Sequence, residues 1–103
     1  MSTTADSQFQ LDTTTPGSLG VVGVLDFSSA AAALKAIQAA LADRAIVRLD
    51  LAGLKHADSA GLSCVVAVVS EAARQGRPIG VVNMPAGMEA LAVVSEVDHL
   101  ISA

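Results

Sequence analysis

Ser59-Ala60-Gly61-Leu62-Ser63-Cys64-Val65-Val66-Ala67-Val68-Val69-Ser70-Glu71-Ala72-Ala73-Arg74-Gln75 is the stretch on which the fold turns. Its four valines favour a strand by propensity. Its length is too great for one ordinary strand. Leu62, Val65, Val66, Val69 and Ala73 fall on one face at a 3.6-residue period. The segment opens at Asp58-Ser59, a capping pair, and closes at Gly76 ahead of Pro78. We therefore read a helix over 59–75, with packing overriding the poor helix propensity of valine.

The segments on either side then fall into place. Upstream, Ala45 to Leu51 reads as a strand with Ala45, Val47, Leu49 and Leu51 on one face and Ile46, Arg48 and Asp50 on the other. Before it, Ala30 to Ala42 is a helix with Leu34, Ile37 and Leu41 on its apolar stripe, and Asp26, Ser28 and Ser29 offer caps. Phe9, Leu11 and Thr13 alternate with polar residues, and Leu19 to Leu25 is a Val-rich strand. Thr15-Pro16-Gly17-Ser18 between them fits a type II turn and an antiparallel hairpin. Downstream, Pro78 to Val82 is a short buried strand. Pro85 then opens a helix carrying Met84, Met88, Leu91 and Val94, and Val97 to Ile101 closes the chain. The expected order is β-β-α-β-α-β-α. That gives an α/β domain with a mixed sheet of about four strands and helices largely on one face. Residues 1–7 read as a loose tail and 8–103 as a single domain.

Composition narrows the function. The chain has 103 residues, 52% hydrophobic, 16% charged and 2% aromatic, with a net charge of -4. Phe9 and Phe27 are its only residues of the Phe, Tyr and Trp class, so the core is expected to be aliphatic with those two added. An acidic domain with six basic residues is a poor partner for nucleic acid or an anionic membrane. No apolar run approaches the roughly 18–20 residues of a membrane span. The start is polar with no signal-like apolar stretch, which points to a cytosolic protein. A mean hydropathy of +0.58 suggests that a partner covers some apolar surface. Cys64 is the sole cysteine and lies in an apolar run, so it reads as a core residue.

Catalytic and cofactor signatures do not emerge. His56 and His99 have no metal-ligand spacing. Gly17, Gly20 and Gly23 form no phosphate loop. His56, Asp58 and Ser59 lie close in sequence but lack the strained elbow of a nucleophilic serine. No enzyme, cofactor or metal site is expected. The informative stretch is Leu49 to Leu54 followed by His56 to Leu62, where a strand ends, a loop crosses and a helix begins. Either Asp58 or Ser59 caps that helix, or Ser59 is a phosphorylation or partner-contact site beside the helix N-terminus. Gly61, lacking a Cβ, would let a partner approach the first helical turn closely.

Asp50-Leu51-Ala52-Gly53-Leu54 with Asp58-Ser59-Ala60-Gly61-Leu62 resembles the signature of STAS domains, the fold of sulfate-transporter tails and bacterial anti-sigma factor antagonists. The resemblance runs over about 9–101. Leu25-Asp26-Phe27-Ser28-Ser29, Gly76-Arg77-Pro78 and Val82-Asn83-Met84-Pro85 look most like the MlaB type, the small STAS subunit of a bacterial phospholipid ABC transporter. The resemblance implies a non-catalytic accessory subunit of a transporter that maintains outer-membrane lipid asymmetry. That subunit binds the ATPase, in a complex with the permease, on the cytosolic face of the inner membrane. It also implies that Ser59 is the family's key hydroxyl residue and Asp58 its acidic neighbour. Asp58, Ala60, Gly61 and Leu62 would then join Ser59 in partner binding. In anti-sigma antagonists the matching serine is phosphorylated by a partner kinase, which is the alternative.

Overall fold

The computed structural model describes residues 8–101. The expected tail at 1–7 lies outside the described residues, as do 102 and 103. β1 (Phe9–Asp12) and β2 (Ser18–Leu25) form the expected antiparallel hairpin. Its turn closes with the Ser18 N–H donating to the Thr15 carbonyl at 3.1 Å, and Gly17 takes a φ of 78°. That positive φ is the reason glycine stands at this place in the turn. α1 (Ala30–Ala40), β3 (Arg48–Asp50), β4 (Leu54–Ala57), α2 (Ser59–Arg74), β5 (Gly80–Val82), α3 (Ala86–Val94) and α4 (Asp98–Ile101) follow.

The sheet has five strands rather than about four. Its order is β1-β2-β3-β5, and β4 also pairs with β2. β3 and β4 run parallel to β2 in succession, at 18–20 and then 23–25, with a register shift between Gly23 and Val24. The unexpected strand is therefore a continuation of the path along β2, and it delivers the chain to the start of α2. Leu19, Leu49 and Val81 stand in register across β2, β3 and β5, and all are buried. Their neighbours Gly20, Asp50 and Val82, on the other face, are only half-buried. This alternation is what a sheet covered by helices on one face produces.

The strand expected over 45–51 is shorter, and its faces are not continuous. Leu49 and Leu51 point into the core as expected, but Ala45 and Val47 are exposed and Ile46 is buried. The reason lies before β3. The Val47 N–H donates to the Gly17 carbonyl, which also takes the Arg48 N–H as the first rung of the β2–β3 ladder, so regular pairing starts only at Arg48.

α2 is the helix expected from its length and caps, and it packs against α1, α3 and α4. Its buried stripe is rotated from the expected one. Gly61, Leu62, Cys64, Val65, Val68, Val69 and Ala72 are inside, whereas Val66 is half-buried and Ala73 exposed. Valine costs a helix at most about 0.7 kcal/mol each. Full burial of a valine side chain is worth roughly 1.5–3 kcal/mol. Three of the four valines are buried, so packing wins. At the far end the Arg77 N–H donates to the Ala72 carbonyl and the Gly76 N–H to the Ala73 carbonyl, with Gly76 at φ 73°. This is a Schellman stop. The Arg77 side chain then donates to the carbonyls of Leu41, Asp43 (2.7 Å) and Ile46 (3.2 Å), tying the end of α2 to the exit from α1.

α3 turns its stripe as well. Met88 and Ala92 are buried, whereas Val94 is exposed. Pro85 serves as the N-cap, one place before the first helical residue. Cys64 is in the core as expected, and burial pushes its thiol pKa up to about 11, so it stays protonated at neutral pH. No helix among the described residues is long and apolar enough to cross a membrane.

Candidate functional site

The C-terminal end of β2, the loop into α1 and the N-terminus of α2 meet at one corner of the domain. Asp58 joins them. Its backbone N–H donates to the Leu25 carbonyl at 3.4 Å. Its Oδ1 accepts from the N–H groups of Ala60 (2.9 Å) and Gly61 (3.1 Å), and its Oδ2 accepts from the Phe27 N–H at 3.1 Å. One carboxylate thus caps α2 and holds the α1-entry loop. The Gly61 N–H is the main reason its carboxyl stays below the ordinary carboxylate pKa. Partial burial opposes that shift, the Phe27 and Ala60 N–H groups add to it, and the nearby Asp26 charge opposes it.

This settles which member of the capping pair is the cap. Asp58 is the N-cap, and Ser59 is the first helical residue. The Ser59 side chain is exposed, and its hydroxyl has no hydrogen-bond partner among the described residues. A serine relieved of structural duty at a surface corner is available for contact or modification.

Gly61 and Leu62 sit differently from the expectation that they meet a partner. Both are buried. A Cβ on Gly61 would fall on the Leu25 carbonyl oxygen and lie 3.0 Å from its carbonyl carbon. The close approach that this glycine permits is therefore between α2 and β2 of the same chain. Ala60 is half-buried and borders Ser59. The surface part of the expected set reduces to Asp58, Ser59 and Ala60.

Phe27 is the residue the sequence reading misplaced. Expected in the core, it is 85% exposed. Burying a phenylalanine is worth roughly 1.5–3 kcal/mol, which the isolated domain forgoes. The available signal was local. Phe27 stands between Asp26 and Ser28, off any apolar period, in a run of cap-forming residues. That loop is well fixed. Asp26 Oδ1 accepts from the N–H groups of Ser28 (3.0 Å) and Ser29 (3.2 Å) and from the Ser28 hydroxyl (2.9 Å). The Ser29 hydroxyl accepts from the Asp26 N–H at 2.9 Å and donates to the Val24 carbonyl at 3.1 Å. Ser29 occupies the N-cap position of α1, but its side chain makes no cap bond to the helix. The Ser28 hydroxyl is the main cause of a lowered Asp26 pKa. His56, expected on a loop, lies exposed on β4. No group of three or more metal-ligating side chains occurs among the described residues.

Comparison with known proteins places the fold in a family. The family model described as "Mlab, STAS domain" matches residues 9–102. The chain belongs to the STAS domain family. No curated protein sequence matches it. Solved STAS-fold structures do. The anti-sigma factor antagonist SpoIIAA in its unphosphorylated form is 18% identical, with a TM-score of 0.66 over 90% of this chain and 84% of that one. An anti-sigma factor antagonist from Mycobacterium paratuberculosis is 23% identical, with a TM-score of 0.68 over 90% and 80%. The Bacillus cell fate determinant SpoIIAA in its phosphorylated form is 20% identical, with a TM-score of 0.63 over 90% and 87%. At these identities the likeness is one of fold. In this STAS domain the Asp-Ser-x-Gly-Leu motif divides into an internal part, Gly61 and Leu62, and a surface part led by Ser59.

Proposed function

We propose that this STAS domain is a non-catalytic accessory subunit that binds the ATPase of a phospholipid ABC transporter. It would act on the cytosolic face of the inner membrane and support maintenance of outer-membrane lipid asymmetry. The observation that carries the reading is the match of 9–102 to the family model described as Mlab. The exposed Phe27 and the unbonded Ser59 hydroxyl at one corner add support, because they suit a protein contact. Ser59→Trp should leave the fold intact, since the side chain is exposed, and should weaken co-purification with the ATPase and lower the ATPase activity of the complex. Unchanged co-purification and activity would remove Ser59 from the contact. Capture of the full chain from its native cell, with partners identified by mass spectrometry, tests the reading as a whole. An ABC ATPase and permease are expected.

A second reading, an anti-sigma factor antagonist switched by serine phosphorylation, is favoured by the exposed Ser59 hydroxyl and by the fold shared with SpoIIAA, solved in phosphorylated and unphosphorylated forms. Asp58 already occupies the Ala60 and Gly61 N–H groups. A phosphate on Ser59 would therefore gain few backbone donors and would place its charge beside a carboxylate. Modification would change the surface rather than the fold. Stoichiometric phosphate on Ser59 from a serine kinase, with loss of kinase binding afterwards, is its expected signature.

A further inference from the structure

We infer that Phe27 is the anchor of the partner contact, seated in an apolar pocket of the ATPase subunit whose mouth carries arginine or lysine. This deepens the transporter reading and rests on it. Three observations carry it. First, the ring is 85% exposed although it is one of only two aromatic residues in an aliphatic chain. Buried aromatic anchors dominate interface energetics. Second, the ring is mounted on a loop held by Asp26, Ser29 and Asp58, so little chain ordering is needed when it is buried. Third, Asp26 stands next to it with one oxygen bonded within the loop and the other, Oδ2, taking no hydrogen bond among the described residues. An apolar ring beside an available carboxylate oxygen is complementary to an apolar pocket with a cationic rim. The Asp58 carboxylate bonds both the Phe27 N–H and the first turn that bears Ser59, so ring and serine are parts of one rigid surface.

The test measures binding of the full chain to the purified ATPase subunit of the phospholipid transporter from the same cell. Phe27→Ala should weaken binding by about thirty-fold or more. Phe27→Leu should restore part of the loss, and the thermal transition of both variants should match wild type, because the ring is outside the core. Association should slow as salt rises from low concentration to about 0.15 M, and Asp26→Asn should reduce that salt dependence. Wild-type affinity in Phe27→Ala, with binding lost in Ser59→Trp, would overturn the anchor and leave the transporter reading standing. No binding by wild type would overturn both. Self-association of the wild-type chain that Phe27→Ala abolishes would assign the ring to a second copy and overturn the ATPase pocket.

Discussion

Gly61→Ala should destabilise the domain by about 2 kcal/mol or more, although alanine is the better helix former by about 1 kcal/mol. The two effects oppose each other, and sterics decide. The added Cβ meets the Leu25 carbonyl group, which is backbone at the end of β2, so no side chain can swing aside. Relief requires the first turn of α2 to move away from β2. That movement pulls on the Asp58 N–H to Leu25 carbonyl bond and on the Phe27 N–H to Asp58 bond together. For a domain of this size the loss corresponds to a fall in Tm of roughly 8–16 °C. Gly87→Ala is the matching control. It lies in α3 with nothing near its Cβ position, and it should raise stability by about 0.4–1 kcal/mol. Chemical denaturation of the two variants separates the cases. A Gly61→Ala variant within about 0.5 kcal/mol of wild type would mean that the contact between α2 and β2 relaxes freely.

The same corner marks where sequence reading succeeds and where it stops. α2 was legible because its length, its Asp58 start and its Gly76 stop agreed, and the structure places a side-chain cap at one end and a Schellman motif at the other. The hairpin was legible because Pro16-Gly17 specifies its turn. β4 was not. Leu54-Lys55-His56-Ala57 has only Leu54 buried, and four residues with one apolar anchor carry no period. Its pairing with β2 follows from chain path, which is a tertiary property. The stripes of α2 and α3 were misjudged by about one position because several apolar residues compete for each face and only the packed neighbours choose among them. At the site, Asp58 and Ser59 were both visible, but dividing cap from free hydroxyl needed hydrogen-bond geometry. Gly61 advertises close approach without saying to what. Composition counts Phe27 with the core residues, and its polar neighbours Asp26 and Ser28 are the local sign against that.

Asp58→Ala should be the most damaging single change at the surface of this site, because one carboxylate serves two purposes. It removes the acceptor for the Ala60 and Gly61 N–H groups and the acceptor for the Phe27 N–H at once. Lower thermal stability is expected, with partner binding weakened at least as far as in Phe27→Ala. Asp58→Asn separates the two purposes. Its amide oxygen can still accept from Ala60 and Gly61, but its NH2 group would face the Phe27 N–H, donor against donor. The helix cap should survive while the α1-entry loop loosens, so Asp58→Asn should keep most of the thermal stability and lose much of the binding. Acid titration gives an independent readout. The Asp58 carboxyl is held below its ordinary pKa in the folded chain, chiefly by the Gly61 N–H. Its stabilising contribution is therefore complete above the unfolded value, about 3.9, and fades as pH falls from there through the folded value. Asp58→Asn has no such proton to take up, so its stability should decline less steeply than that of wild type over the same acid range. Equal acid profiles in the two proteins, together with equal partner affinity, would show that the carboxylate couples neither the helix start nor the Phe27 loop to the surface on which Ser59 stands.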